Sequence, residues 1–461
     1  MTEYSTVRRP APASRYAWET ADGDGTGLLT DHYELTMVRA ALGSGAAGRH
    51  AVFEMFARQL PAGRRYGVVA GTGRFLEALE RFRFSAQDLD FLRGTGVVDE
   101  STADYLAAYR FGGSIWGYGE GDCYFPGSPI LVVKASFAEA VVLETLALSI
   151  FNHDCAVASA ASRMVTAAGA RPIIEMGSRR THEVAAVAAA RAAYLAGFTA
   201  TSNLRAGMAY GIPTAGTSAH AFTLVHDDER QAFAAQVASL GAGTTLLVDT
   251  YDVAEAVRTA VELAGPGLGA VRIDSGDVAA LARAVRAQLD ALGAAGTRIV
   301  VTGDLDEHSI AELAAAPADS YGVGTALVTG SGAPTAALVY KLAARSAGQG
   351  LEPVAKRSAG KPTLGGRKWA ARALDDLGTA VAELVSTSPV GDSRQRPLLR
   401  ELVRDGQIVG AEPIEAARQR HRDARAELPA AGRWLDPGRP AIPTIMKPAA
   451  DGAGQAVPPA R

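Results

Sequence analysis

The chain has 461 residues, 48% of them apolar and 21% charged, with a formal net charge of −3. That is chain enough for two or three domains, or one large barrel with additions, and it is not the composition of a disordered protein. The near-neutral balance gives no electrostatic case for a nucleic-acid or anionic-membrane partner, and the two cysteines, Cys123 and Cys155, supply neither a disulfide framework nor metal-ligand spacing.

The opening MTEYSTVRRPAPASRY has no apolar h-region. No uninterrupted run reaches the roughly 18 apolar residues of a membrane span, so a cytoplasmic protein is expected. Residues 1–25 and the tail 449–461 are rich in Pro, Gly and Ala without periodicity and read as disordered. From 26 to 149 the pattern is mixed. LLTDHYELTMVRAAL and GRFLEALERF space their apolar residues as helices do, with Asp31 placed to cap the first. AVFEMFA and PILVVKASF read as strands. Such mixing predicts an α+β domain.

From 150 to 344 short apolar strands alternate with alanine-rich helices. The strands are RPIIEMG, GFTATS, GIPTAGT, TTLLVDT, GAVRIDS, TRIVVTGD and SYGVGT. Repeated strand-helix units predict parallel strands with right-handed crossovers. Seven of them predict an irregular barrel of the triosephosphate-isomerase (TIM) type rather than an open sheet. No G-x-G-x-x-G dinucleotide fingerprint is present. The segment 345–448 reads as short strands, turns and one charged helix, EPIEAARQRHRDARAEL. It is too thin for a core of its own and is expected to rejoin the first domain.

In a parallel barrel the chemistry sits where strands end. Here the strand ends carry Arg179 and Arg180, then Ser202, His220, Asp249, Asp274, Gly303 with Asp304, and Gly324 with Thr325. Capping of the next helix explains any one of the Asp, Ser or Thr residues. Their convergence on one rim with two arginines and a histidine argues for a phosphorylated substrate. SYGVGT falls at the last strand, where glycine backbone and the next helix N-terminus suit an anion. In VRIDSGD, Arg272 suits a phosphate and Asp274 a pair of ribose hydroxyls. His220, in GIPTAGTSAHAF, ends what reads as a short strand among small residues. It is either a core histidine bonded to a carbonyl or a nucleophile with room cleared around it.

Ten stretches in order decide between these readings: TDHYELTM, FEMFARQLPAGRRYGVVAG, EGDCYFPGSPILVV, IEMGSRRTHE, GFTATSN, YGIPTAGTSAHAF, LLVDTYD, VRIDSGD, VVTGDLDE and YGVGTALVT. From TDHYELTM to about GKPTLGGRK the chain resembles the nicotinate phosphoribosyltransferase family. The resemblance implies an irregular TIM-like α/β barrel with an α+β domain built from the N-terminal part and C-terminal segment. It implies a homodimer whose active site is shared across the interface. The implied reaction joins nicotinate to 5-phosphoribosyl 1-pyrophosphate, giving nicotinate mononucleotide and pyrophosphate with coupled ATP hydrolysis. This is a ligase-class step of NAD salvage, with Mg²⁺ riding on ATP and the sugar diphosphate and no dedicated protein metal site.

By the same resemblance His220 is the phosphohistidine and Asp249 the carboxylate that orients it. Tyr33 stacks on the pyridine ring from the partner subunit, and Arg179 meets the nicotinate carboxylate. Arg272, Asp274, Gly303, Gly324 and Thr325 take the ribose and phosphate. Nicotinamide-using relatives carry an aspartate where Ser202 stands; a serine hydroxyl can donate to a carboxylate that an aspartate would repel, so nicotinate is favoured. HDCAVASAASRM replaces a stretch that often carries a lysine in the family, which leaves Arg163 without an assigned role. The competing readings are a nicotinamide phosphoribosyltransferase, a barrel sugar-phosphate enzyme, and a non-catalytic binder that kept the fold. The second needs a strand-end lysine, and no predicted strand ends in one.

Overall fold

The computed structural model describes residues 25–348, 350–356, 364–390 and 394–447. The ends expected to be disordered, apart from Gly25, and the GKPT part of GKPTLGGRK lie outside the described residues. Two units divide the chain. One takes the chain up to Asn152, Ala336–Gly432 and the chain from Gly438 onward; the other takes His153–Thr335 and Arg433–Pro437.

In the first unit AVFEMFA becomes the strand His50–Ala57, buried along most of its length. It lies inside a seven-stranded antiparallel sheet that draws on both ends of the chain. Leu338–Ala347 pairs with it on one side and Leu131–Ser136 on the other. Ser114–Tyr118 follows, and then Leu399–Arg404. Val52, Val132 and Ala344 form a core patch from three of these strands, with Trp116 and Leu399 packed on it. A second, four-stranded sheet contains Trp369–Leu374 and Ala380–Ser386. The predicted helices form at His32–Ser44, Thr72–Glu80 and Ile414–Ala426.

The second unit carries a six-stranded parallel sheet. Its order is Ala200–Thr201, Ile173–Glu175, Ser320–Val323, Arg298–Val301, Ala270–Ile273, Thr245–Leu247. The first strand in sequence therefore pairs with the last, as it does when a sheet curls toward closure. GIPTAGT does not form the expected strand. Only Thr214 bridges to Thr201, and the sheet stays open between there and Thr245–Leu247. Pro213 offers no N–H to a ladder, and the contact reduces to bonds from the Thr201 N–H to the Pro213 C=O and from the Ala215 N–H to the Thr201 C=O. The result is a mixed α/β fold with a parallel half-barrel. The strand Leu338–Ala347, which straddles the expected end of the barrel segment at 344, belongs to the first unit.

One long helix spans the expected domain boundary. Glu144–Ala168 runs through the position where the composition suggests a boundary, and the division at Asn152 falls inside it. The stretch Phe137–Ala168 is long and apolar enough to cross a membrane by length and composition alone, yet 67% of its most apolar window is buried inside the protein. Internal burial is what makes a core helix hydrophobic all round.

Candidate active site

The carboxyl ends of the parallel strands surround an open cleft of about 650 Å³, counting the space at its mouth. Arg179, Arg272, Asp274, Gly303, Gly324 and Thr325 line it, with Arg180, Met176, Thr302, Asp304 and Gly322 beside them. The size and polar lining suit a small phosphorylated molecule. Arg179 and Arg180 stand exposed in the turn Ser178–Arg180. Among the described residues neither forms an ion pair with Glu183, whose carboxylate lies 3.8 Å from His182 Nε2.

Arg272 projects from the strand Ala270–Ile273 and is 9% exposed. Nη1 donates to the Thr217 hydroxyl and to the Ser218 C=O at 3.1 Å, and Nη2 reaches Asp274 Oδ1 at 3.4 Å. Its Nε is buried with no partner among the described residues. A buried donor left over on a polar wall is what a bound anion would take up. Thr302 donates its hydroxyl to the same Asp274 oxygen.

His220 does not end a strand. It is the first residue of the short helix His220–Leu224, after an extended Ala219. Its Nε2 lies 3.1 Å from Asp249 Oδ1. The other Asp249 oxygen accepts the Asp274 N–H at 2.9 Å and the Ser275 hydroxyl at 2.8 Å. The Asp249 side chain is 3% exposed and the His220 side chain 39%. Burial alone would raise the Asp249 carboxyl. The bonds from Ser275, the Asp274 N–H and His220 outweigh it and hold the carboxyl below its ordinary value. With Asp249 ionised, a hydrogen bond donated by Nε2–H fixes the tautomer in which Nδ1 carries the lone pair.

The strand-end aspartates divide into two kinds. Asp252, Asp277 and Asp306 are N-caps of Val253–Ala264, Val278–Ala291 and Glu307–Glu312. Asp249 and Asp274, each three positions earlier than a cap, face the site chemistry instead. The glycines of the cleft are there for closeness. Gly303 has φ +102°, and a Cβ on it would come within 2.2 Å of the Asp274 carbonyl oxygen. A Cβ on Gly177 would come within 2.3 Å of Val328. The helix after Gly324, Thr325–Val328, is a single turn, so any anion contact there rests on individual N–H groups rather than a helix dipole.

Ser202 is exposed and lies outside the lining of the cleft. Tyr33 is carried by the first unit, 46% exposed on the first turn of His32–Ser44. Arg163 is not at the cleft either. It is buried, with Nε 2.9 Å from Glu307 Oε1 and Nη2 donating to the Leu435 C=O at 2.8 Å. Glu307 also accepts the Ser331 hydroxyl at 2.7 Å. Thr302 joins the lining from the end of TRIVVTGD, beside the Gly303 and Asp304 that the strand-end pattern already places there.

A family model described as the nicotinate phosphoribosyltransferase N-terminal domain matches residues 28–152, and one for the nicotinate phosphoribosyltransferase family matches residues 172–375. A curated relative, nicotinate phosphoribosyltransferase pncB1 of Mycobacterium tuberculosis, is 58% identical over 451 residues, covering 95% of this chain and 99% of the relative. The chain belongs to the nicotinate phosphoribosyltransferase family. The Bacillus subtilis nicotinate phosphoribosyltransferase is 37% identical over 70% of this chain and 67% of its own length. Among solved structures, human nicotinic acid phosphoribosyltransferase superposes with a TM-score of 0.76 at 25% identity, covering 90% of this chain and 97% of that one.

Proposed function

We propose that the chain transfers the phosphoribosyl group of 5-phosphoribosyl 1-pyrophosphate to nicotinate, coupled to ATP through a phosphohistidine at His220. The observation that carries the reading is the His220–Asp249 pair, bonded through the Asp274 N–H to the wall of an arginine-lined cleft. The Nδ1 lone pair attacks the γ-phosphorus of ATP, the bond to the ADP oxygen breaks, and Asp249 stabilises the positive ring through Nε2–H. Thr217 and Ser218, small residues just before His220, can donate hydrogen bonds to the phosphoryl group.

Arg272, Gly303, Gly324 and Thr325 then hold the phosphates, and Asp274 accepts the ribose hydroxyls. Nicotinate's ring nitrogen attacks C1 of the ribose, pyrophosphate departs, and water releases phosphate from His220. Phosphorylation drives turnover through tighter binding of the sugar diphosphate and easier loss of pyrophosphate. Asp304, on the cleft wall, would accept hydrogen bonds from the waters of a Mg²⁺ carried by the diphosphates, and that ion would neutralise part of their charge. Arg179 and Ser202 meet the nicotinate carboxylate, which favours nicotinate over nicotinamide.

Tyr33 of the partner subunit completes the site in a homodimer. The large apolar side chains left exposed on the half-barrel unit, Leu204 at 76%, Met208 at 71% and Val225 at 77%, support such an interface. We take the half-barrel as an opened TIM-type barrel, and the activity as a cytoplasmic, ligase-class step of NAD salvage.

Incubation with γ-labelled ATP and Mg²⁺ tests the reading. Acid-labile, base-stable label on His220 is expected, discharged as nicotinate mononucleotide forms. His220→Ala should take no label and lose all ATP stimulation. A His220→Ala protein with ATP-stimulated turnover would end the phosphohistidine mechanism.

A further inference from the structure

Glu175 ends the strand Ile173–Glu175 and is 1% exposed, with no part in the reaction above. Its carboxylate accepts the Gly177 N–H and the Thr201 hydroxyl. Thr201, also 1% exposed, accepts the Asn203 N–H at 2.9 Å. Asn203 donates from Nδ2 to the Ser178 hydroxyl at 3.0 Å, while its Oδ1 accepts the Ala206 N–H at 2.8 Å. The Ser202 N–H donates to the Glu175 C=O at 2.8 Å. The bonds thus run from Gly177 through Glu175, Thr201 and Asn203 to Ser178, and the backbone between Ser178 and Gly177 closes a ring. Arg179 directly follows Ser178, and Ser202 sits between Thr201 and Asn203.

Building on the nicotinate reading, we propose that this ring sets the preference for a pyridine carboxylate. Glu175, Thr201, Asn203 and Ser178 act as positioning residues that hold the Arg179 turn and the Ser202 loop in one fixed relation. The physical need is plain. A carboxylate wants donors at both oxygens, whereas a carboxamide wants one donor and one acceptor. Two donors on separate loops discriminate only if neither loop can shift to offer a carbonyl to the amide NH₂. The ring also turns the Glu175 charge inward. Burial raises this carboxyl, and the bonds from Thr201 and Gly177 counter that, so its oxygens are occupied by donors.

The test uses the full chain with phosphoribosyl pyrophosphate, Mg²⁺ and ATP, and lets nicotinate and nicotinamide compete. Thr201→Val removes the central hydroxyl at nearly constant volume, Thr201→Ser restores it, and Ser178→Ala removes the far acceptor. Ser178 is half-buried, so its variant carries the test even where Thr201→Val does not fold. Thr201→Val and Ser178→Ala should lower the nicotinate-to-nicotinamide ratio of kcat/KM by about tenfold, a loss in keeping with small misplacement of binding groups. The change should come through KM for nicotinate, with KM for the sugar diphosphate unmoved and Thr201→Ser close to wild type.

A Ser178→Ala protein with the wild-type ratio overturns the inference. So does one whose KM values rise together at constant ratio, because that is general loosening. Wild-type protein that makes no nicotinate mononucleotide would overturn the functional reading itself, and the ring's role with it.

Discussion

Glu229 begins the helix Glu229–Leu240 with a carboxylate oxygen that is buried and has no partner among the described residues. Burial first, then the charges of Asp249 and Asp252, push its carboxyl up to about 7. A carboxyl whose folded value exceeds its unfolded value of about 4.3 binds its proton more tightly when folded. Its contribution to stability is complete below about pH 4 and is lost as the pH climbs toward about 7. Glu229→Gln should therefore raise the unfolding temperature at pH 8 and leave it unchanged at pH 4; an equal shift at both would show that charge is not the cause. At this scale the sequence was ambiguous. DTYD and DSGD look alike, yet in each the first aspartate serves the site and the second caps a helix. The first position lies just past the strand end, and the second is the only one placed to meet the next helix's free N–H groups.

Beyond Asn152, where the helix Glu144–Ala168 belongs to the second unit, Arg163 anchors it. Its guanidinium fork reaches Glu307 with one nitrogen and the Leu435 carbonyl with another. Burial would raise the Glu307 carboxyl, but bonds from Ser331 and Arg163 more than offset this and hold it below its ordinary value. Glu307 follows the Gly303–Asp304 loop, and Ser331 follows the Gly324–Thr325 loop, so one buried carboxylate ties together the two stretches assigned to phosphate. Arg163→Met leaves that charge buried and unpaired, and should cost about 3–5 kcal/mol in denaturant unfolding. Adding Glu307→Gln should recover part of the loss, because the uncompensated charge is then gone; a double variant no better than the single would refute this account. The sequence left Arg163 without an assigned role. It could not show the partner, which is 144 positions away.

At the scale of the whole chain, the first unit needs both ends of the sequence. Leu338–Ala347 zips along His50–Ala57 in a near-continuous register, and Leu399–Arg404 closes on Ser114–Tyr118. Behind them Glu383, fully buried, accepts from Arg372 at 2.7 Å and from the Tyr118 hydroxyl at 2.7 Å. Lys368 Nζ sits 2.6 Å from each oxygen of buried Glu54. A chain ending at Thr335 would leave the Glu54 carboxyl buried without its cation partner and expose the long edge of His50–Ala57. Such a truncation should be aggregation-prone and rapidly digested across residues 50–136 in limited proteolysis, whereas the full chain resists; a truncated protein with native protease resistance would contradict the shared-sheet argument. By itself the sequence determined the periodic elements, the parallel character of the central sheet and the family, because these follow from local spacing and from short ordered motifs. Only the tertiary structure decided that Thr214 merely bridges, that His220 opens a helix, which of two aspartates faces the site, and where Arg163 and Glu175 find their partners. The partners of Arg163, Asp249 and Glu175 include groups far along the chain that must meet to satisfy a buried charge, and such pairings leave no local trace in the order of residues.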